Sequence, residues 1–275
     1  RKNGLVGYNN CLIKYIAKAL DGDLYTPPDL LPENNIERLE LSTVKIEVEY
    51  YNKKTKEATV ISTGSGIIIS KTNIATNCHV ALSKNPKRLK EKGWDKNSTT
   101  IRLWAKTVSD KNWGQLNLYK ENAMKDICIL RYMPSPEFNI KMKPITKFVS
   151  FDKVKKGSFV RAMGNPSGMT GHTSKGSVNW LGTMDQFIEV VISQAYEEAK
   201  SDEEAMNYVK SFVQSFDKDT KLIVHGATIH KGSSGGPLFD KDGAIIGLNT
   251  LGFDKTAAEN VAVSSDHIKD LLYND

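Results

Sequence analysis

Cysteine is scarce in this chain: three residues in 275, at positions 11, 78 and 128. So few give no disulfide framework of the kind that staples small secreted domains. Cys128 stands in the apolar run DICIL and reads as a small buried side chain, and Cys78 reads as a packing residue. HExxH and CxxC are both absent, and apart from His225 and His230 the five histidines lie far apart. No zinc spacing results, and neither a metal nor another cofactor is expected. No run of about 18 apolar residues occurs, which excludes a membrane-spanning helix. No basic-aromatic nucleic-acid module occurs either. The net charge of +6 comes from scattered lysines, so a solvated basic surface is expected rather than a nucleic-acid partner. The first residue is Arg, not Met. The expectation is a start inside a longer chain or after processing, with any export signal upstream.

What is present is short and β-rich. From Leu41 onward, runs such as TVKIEVEYY, ATVISTGSGIIIS, TTIRLWAKTV, DICILRYM and AIIGLNTLG are separated by turn residues, and several alternate with period two. Strands at this density without alternating helices predict an all-β sandwich or barrel. Residues 1–40 differ. Leu12, Ile13, Ile16, Ala17 and Leu20 fall at helical spacing, and TPPDLLP then breaks the pattern. This predicts an N-terminal helix and linker. A second interruption, residues 184–217, is acidic and helical in pattern, with Ser201 and Glu204 as a capping box. It reads as a helical insertion in the β-fold, solvated on its outer face. SSDHIKDLLYND closes the chain as a short helix capped at Ser265 or Asp266.

The stretch KGSSGGPLFD carries the chemistry. Gly-Ser clusters are most often plain turns. A nucleophilic serine needs a base, an acid to orient that base, and backbone N–H groups for the oxyanion. Ser234 fits the nucleophile position, and the amides of Gly232 and Ser234 fit an oxyanion hole. The side chain of Ser233 should point away. The same letters satisfy the G-x-S-x-G elbow, but an elbow leads into a helix, whereas Pro237 and LFDKDGAIIGLNT read as strand, turn, strand. Only His267, beside Asp266, remains downstream as a base for that alternative. Upstream, His79 ends the apolar stretch of IATNCHV, and Asp126 heads the strand of KDICIL. The chain order His, Asp, Ser is one of the known triad orders.

On these residues the chain from about Leu41 to Asp275 resembles trypsin-like serine proteases, and more narrowly the bacterial HtrA/Deg branch. GSGIIIS with IATNCHV, KDICIL, AMGNPSGMTGHTSKGSVN, ATIHKGSSGGPLFDKDGAIIGLNT and NVAVSSDHIKDLL match that branch in order. The resemblance implies two six-stranded antiparallel β-barrels, the first over about 41–150 and the second over about 151–275. The active site would lie between them. His79 and Asp126 would come from the first barrel and Ser234 from the second. By family position, Thr228, Ile229 and His230 would line the specificity pocket, and Asn249, Thr250 and Leu251 would pair with substrate as an added strand.

No carboxylate stands at Thr228, which argues against Lys or Arg before the scissile bond and for a small or medium apolar residue. His230 leaves an acidic side chain as the alternative. Ser233 replaces the aspartate of digestive relatives, so activation by a freshly cut N-terminus is not implied. The basic stretch SKNPKRLKEKGWDKN reads as a solvated loop that would draw acidic substrates if it rims the cleft. No PDZ-like region follows Asp275 within this sequence. The resemblance implies protein or peptide substrates and a periplasmic or secreted setting, although composition does not decide against the cytoplasm. It also implies homo-oligomer or regulatory contacts through residues 1–40 or 184–217. The competing reading is a protease-fold binding or scaffold protein whose chemistry is off.

Overall fold

The computed structural model describes residues 34–135, 140–166, 171–188, 216–252 and 260–273. The expected helix within residues 1–33 and most of the 184–217 insertion lie outside these. Helix α1 (Ile36–Ser42) opens the described chain. Asn35 caps it, its Oδ1 accepting the Glu37 N–H at 2.9 Å. This helix falls largely in the stretch expected as linker, and the first strand begins at Thr43 rather than at Leu41.

Twelve strands follow. β1 (Thr43–Asn52), β2 (Ala58–Ile68), β3 (Asn73–Thr76), β4 (Thr99–Thr107), β5 (Gly114–Asn122) and β6 (Ile127–Met133) close one barrel in the order β1-β2-β3-β6-β5-β4. β7 (Phe159–Gly164), β8 (His172–Thr183), β9 (Lys221–His225), β10 (Pro237–Phe239), β11 (Ile245–Gly252) and β12 (Asn260–Ser264) close a second, β10-β11-β12-β9-β8-β7. Every pairing within the two barrels is antiparallel. The expected pair of six-stranded barrels is therefore the observed fold. Two short helices, α2 (Cys78–Ala81) and α3 (Pro86–Glu91), follow β3. Helix α4 (Asp266–Tyr273) ends the described chain. Ser265 accepts the Ile268 N–H on its carbonyl, while its hydroxyl turns to Val149 O at 3.0 Å.

Burial explains why some strands alternate and others do not. β1 faces solvent on one side, and its residues alternate between buried and half-buried. β6 over Ile127–Leu130, β9 over Leu222–His225 and all of β12 lie between the two barrels and are buried on both faces. Cys128 and Leu130 join the first barrel's interior, while Ile127 and Ile129 join the cluster between barrels. On β9, Ile223 points into the second barrel, and Leu222 and Val224 point between. The β12 residues Val261, Ala262 and Val263 divide the same way. The continuous apolar runs DICIL and KLIV are the sequence trace of this sandwiching. Of the insertion, residues 184–188 are helical. Met184, Phe187 and Phe216 bury themselves in the inter-barrel cluster, so the insertion's stem is anchored to the core.

Two of the cysteines do more than pack. Cys78 and Cys128 are joined in a disulfide, with Cα atoms 4.9 Å apart across 50 residues of chain. β3 pairs with β6 so that Thr76 opposes Cys128. That register brings Cys78 alongside, and a count of cysteines cannot see register. Both residues are buried, as expected. A crosslink over a loop of this size restricts the unfolded chain by about 4 kcal/mol. Protein unfolded, reduced and refolded under reductant is expected to melt on the order of 10 °C below the oxidised form. Equal melting midpoints would show that the bond adds no stability.

Two histidines make stability fall in acid. Burial lowers His225 to about 4 and outweighs the Asn249 amide and the Ala227 backbone that face it. Burial also lowers His267 to about 4. The lysines 125 and 221 add to that shift, and Asp270 and Asp219 oppose it. His267 Nε2 accepts the Lys221 N–H at 2.9 Å, a bond that needs this nitrogen unprotonated. Both rings are neutral when folded and bind protons more readily when unfolded. Their contribution is therefore complete above pH 6.5 and is lost as pH falls from 6.5 to about 4. The loss is about 3 kcal/mol for each histidine. Urea unfolding at pH 7 and pH 4.5 measures it. His267→Gln, which keeps an acceptor for Lys221, should remove about half of the dependence on these two rings.

Candidate active site

His79 stands in the first turn after β3, and the chain here is shaped by Asp126. Asp126 is buried and left-handed, at φ 54° and ψ 35°. An aspartate tolerates that conformation better than most residues. It ends the 3-10 turn Ala123–Lys125 and turns its carbonyl toward β3. That carbonyl accepts Asn77 Nδ2 at 3.0 Å and the Cys78 N–H at 3.3 Å. The carboxylate then reaches the next residue. Oδ1 accepts the His79 N–H at 2.9 Å, and Oδ2 lies 2.8 Å from His79 Nδ1. Thr250 donates its hydroxyl to the same Oδ2 at 2.6 Å. With Nδ1 donating to a carboxylate, a neutral imidazole presents Nε2 as its acceptor. The side chain of His79 is 48% exposed, so that nitrogen is reachable from solvent.

The turn carrying Asp126 is also gripped from the second barrel. Met124 O accepts the Asp217 N–H at 2.7 Å, and Lys125 Nζ lies 3.0 Å from Asp219 Oδ2. The chain leaving the 184–217 insertion therefore docks one or two residues from Asp126.

Ser234 lies in the second of two successive turns between β9 and β10. The Ser233 N–H donates to His230 O at 2.8 Å, and the Gly236 N–H donates to Ser233 O at 2.9 Å. The third residues of these turns are Gly232 at φ 101° and Gly235 at φ 80°, as a type II geometry demands. A Cβ at Gly235 would also collide with Thr76 Oγ1 and Ser65 O. Among the described residues, neither the Gly232 nor the Ser234 N–H donates to another group of the chain. Ser233 is buried, and its Oγ accepts the His230 N–H at 3.2 Å, so it turns back on its own loop.

Thr250 touches both halves. Its hydroxyl is on Asp126, and its carbonyl lies 3.4 Å from Ser234 Oγ. No hydrogen bond joins Ser234 Oγ to His79 Nε2 among the described residues. Contacts of this kind are commonly looser without substrate and tighten in its complex. Thr250 was expected only as a pairing partner for substrate. Its place in β11 explains the second role. The β11–β12 register shifts between Asn249 and Leu251, so Thr250 is a bulge residue aimed at the first barrel.

The other expected pocket residues divide. Thr228 and Ile229 are half-buried and His230 is exposed. Thr228 O accepts Ser174 Oγ at 2.6 Å, and Ile229 packs on the second barrel's interior. The His230 ring meets that of His172 edge-on at 5.7 Å. Asn249 is fully buried, and its groups go to the nucleophile loop. Its N–H donates to Gly236 O, its C=O accepts the Gly235 N–H, and Nδ2 lies 3.0 Å from Gly236 O and 3.1 Å from Pro237 O. Those backbone groups are therefore not open to an added strand. The side chain of Leu251 lies outside the described residues. Among the described residues no cluster of three or more metal-ligating side chains forms.

Residues 64–248 match the model of the trypsin-like peptidase domain family. Among named proteins, the chain is 26% identical over 240 residues to serine protease HTRA3 of Homo sapiens. It is 26% identical over 238 residues to serine protease HTRA1B of Danio rerio and 23% identical over 189 residues to the putative serine protease HhoB of Synechocystis. The matches cover 86%, 86% and 68% of this chain but 43%, 40% and 34% of the relatives. The chain thus spans about two fifths or less of the length of these relatives.

Proposed function

This chain belongs to the trypsin-like peptidase family, and on that premise we propose that it is a serine endopeptidase working through an acyl-enzyme. The supporting observation is the set of hydrogen bonds that joins His79, Asp126 and Thr250 beside the Ser234 loop. In this reading Ser234 Oγ attacks the scissile carbonyl carbon while His79 Nε2 takes its proton. The carbonyl oxygen becomes an anion held by the N–H groups of Gly232 and Ser234. His79 then returns the proton to the leaving amine as the C–N bond breaks. Water repeats the sequence to release the acid. Asp126 keeps Nδ1 protonated and stabilises the imidazolium. Thr250 fixes the carboxylate.

The substrate would lie along Thr250 and beyond, with Thr228, Ile229 and His230 at its specificity pocket. No acidic residue is among these three, which favours an apolar side chain before the scissile bond. Digestion of a proteome-derived peptide library tests the reading. New termini should follow small or medium apolar residues and be absent with Ser234→Ala. Cleavage after Lys or Arg would refute the pocket assignment. An uncleaved library, from protein that also resists active-site probes, would favour a protease fold without the chemistry.

A further inference from the structure

Ser65 is fully buried in β2, a strand of the first barrel, and yet most of its bonds cross to the second. Its Oγ donates to Gly232 O at 2.7 Å and accepts the Asn165 N–H at 2.8 Å. Its backbone N–H donates to Ser234 O at 2.8 Å, and its carbonyl accepts Thr76 Oγ1 at 2.7 Å. The flanking residues leave no alternative to close contact. A Cβ at Gly64 would press on Val80 and lie 3.1 Å from Ser234 O, and one at Gly66 would press on Ile46 and Ile74.

The bonds fall on alternate peptide units of the nucleophile loop. The unit between Gly232 and Ser233 is tied at both ends, its C=O to Ser65 Oγ and its N–H to His230 O. The unit between Ser234 and Gly235 is also tied at both ends, its C=O to the Ser65 N–H and its N–H to Asn249 O. The units before and between them carry the N–H groups of Gly232 and Ser234, the two left unspent. A peptide unit is planar, so pinning two of four leaves the others little freedom beyond the dihedrals at their shared Cα atoms. Gly232 and Gly235 have the widest conformational freedom of these residues, and Gly232, whose own carbonyl Ser65 Oγ holds, has the most to lose if that bond is released.

We infer that Ser65 is a positioning residue, by which the first barrel holds the oxyanion donors of the second in their working orientation. The inference rests on the peptidase reading above. It assigns Ser65 no contact with substrate and no proton transfer.

The test compares wild type, Ser65→Ala and Ser65→Cys on a fluorogenic peptide taken from the library digest, with active sites counted by fluorophosphonate titration. A peptide aldehyde, whose adduct places an oxygen in the oxyanion hole, and the matching uncleaved peptide amide give affinities for charged and uncharged states. Alanine leaves Gly232 O and the Asn165 N–H without their partner. Its kcat per titrated site should fall about 10- to 100-fold, less than the loss of a whole oxyanion donor, with KM within about threefold. Aldehyde affinity should fall in step with kcat, while amide affinity holds. Cysteine, nearly the same shape with a weaker donor, should fall between and covers the case of an alanine variant that does not fold. A kcat within twofold of wild type at equal titrated sites overturns the inference. So does a loss confined to KM, or one explained by a smaller titrated fraction. Wild type that neither cleaves nor titrates would overturn the peptidase reading itself, a separate result.

Discussion

Alanine at position 234 is expected to lower kcat/KM for peptide cleavage about a millionfold, or about 8 kcal/mol of transition-state stabilisation. On the proposed reading the substitution removes the atom that would form the acyl bond, and His79 and Asp126 would have no hydroxyl to activate. What remains would be the contribution of binding and the two N–H donors, about 10³- to 10⁴-fold over water. The fold should be almost untouched. Ser234 is half-buried, and among the described residues its hydroxyl makes one long bond, 3.4 Å to Thr250 O. A melting temperature near that of wild type, beside lost cleavage of the library-derived peptide, would separate chemistry from folding. Retention of more than about 1% of wild-type kcat would contradict the assignment of the nucleophile.

The second large effect is expected from Asp126→Asn, at about 10⁴-fold in kcat. An asparagine still accepts the His79 N–H on its oxygen, where Asp126 Oδ1 does so at 2.9 Å. Its amide then faces Nδ1 and the Thr250 hydroxyl in place of Oδ2. The hydroxyl can rotate and accept. The imidazole has to present a lone pair at Nδ1, which moves its proton to Nε2 and removes the acceptor that Ser234 needs. KM should change little, because no contact with substrate is lost. Steady-state kinetics with substrate varied around KM give the split. An unchanged kcat would mean that His79 does not depend on Asp126 for its tautomer.

The sequence carried more of the outline than of the joints. The stretches IATNCHV and KDICIL, the Gly-Ser-Gly strand and the loop around Ser234 are contiguous motifs, and contiguous motifs survive without coordinates. The apolar runs at Ile127–Leu130 and Ala244–Leu248 are legible as strands. That they separate two barrels shows only in which interior each side chain joins. The errors share one cause, which is register. The Cys78–Cys128 bond depends on the pairing of β3 with β6. Asn249 was expected on the substrate side, but its backbone groups face the nucleophile loop. Thr250 reaches Asp126 only because a bulge displaces it from the β11–β12 ladder. Ser65 sat in a quoted motif with no role attached, since its partners Gly232 and Asn165 are 167 and 100 residues away. A serine between two glycines inside an apolar strand is the one local signal that could have marked it as a buried polar junction.

In the proposed chemistry His79 and Asp126 of one barrel activate Ser234 of the other. Labelling with a fluorophosphonate, read by intact mass and mapped by peptide sequencing, tests this most directly. One adduct per chain is expected, on Ser234, absent in Ser234→Ala and slowed by orders of magnitude in His79→Ala. Wild-type protein that takes up no label, or that labels equally well without His79, would contradict it.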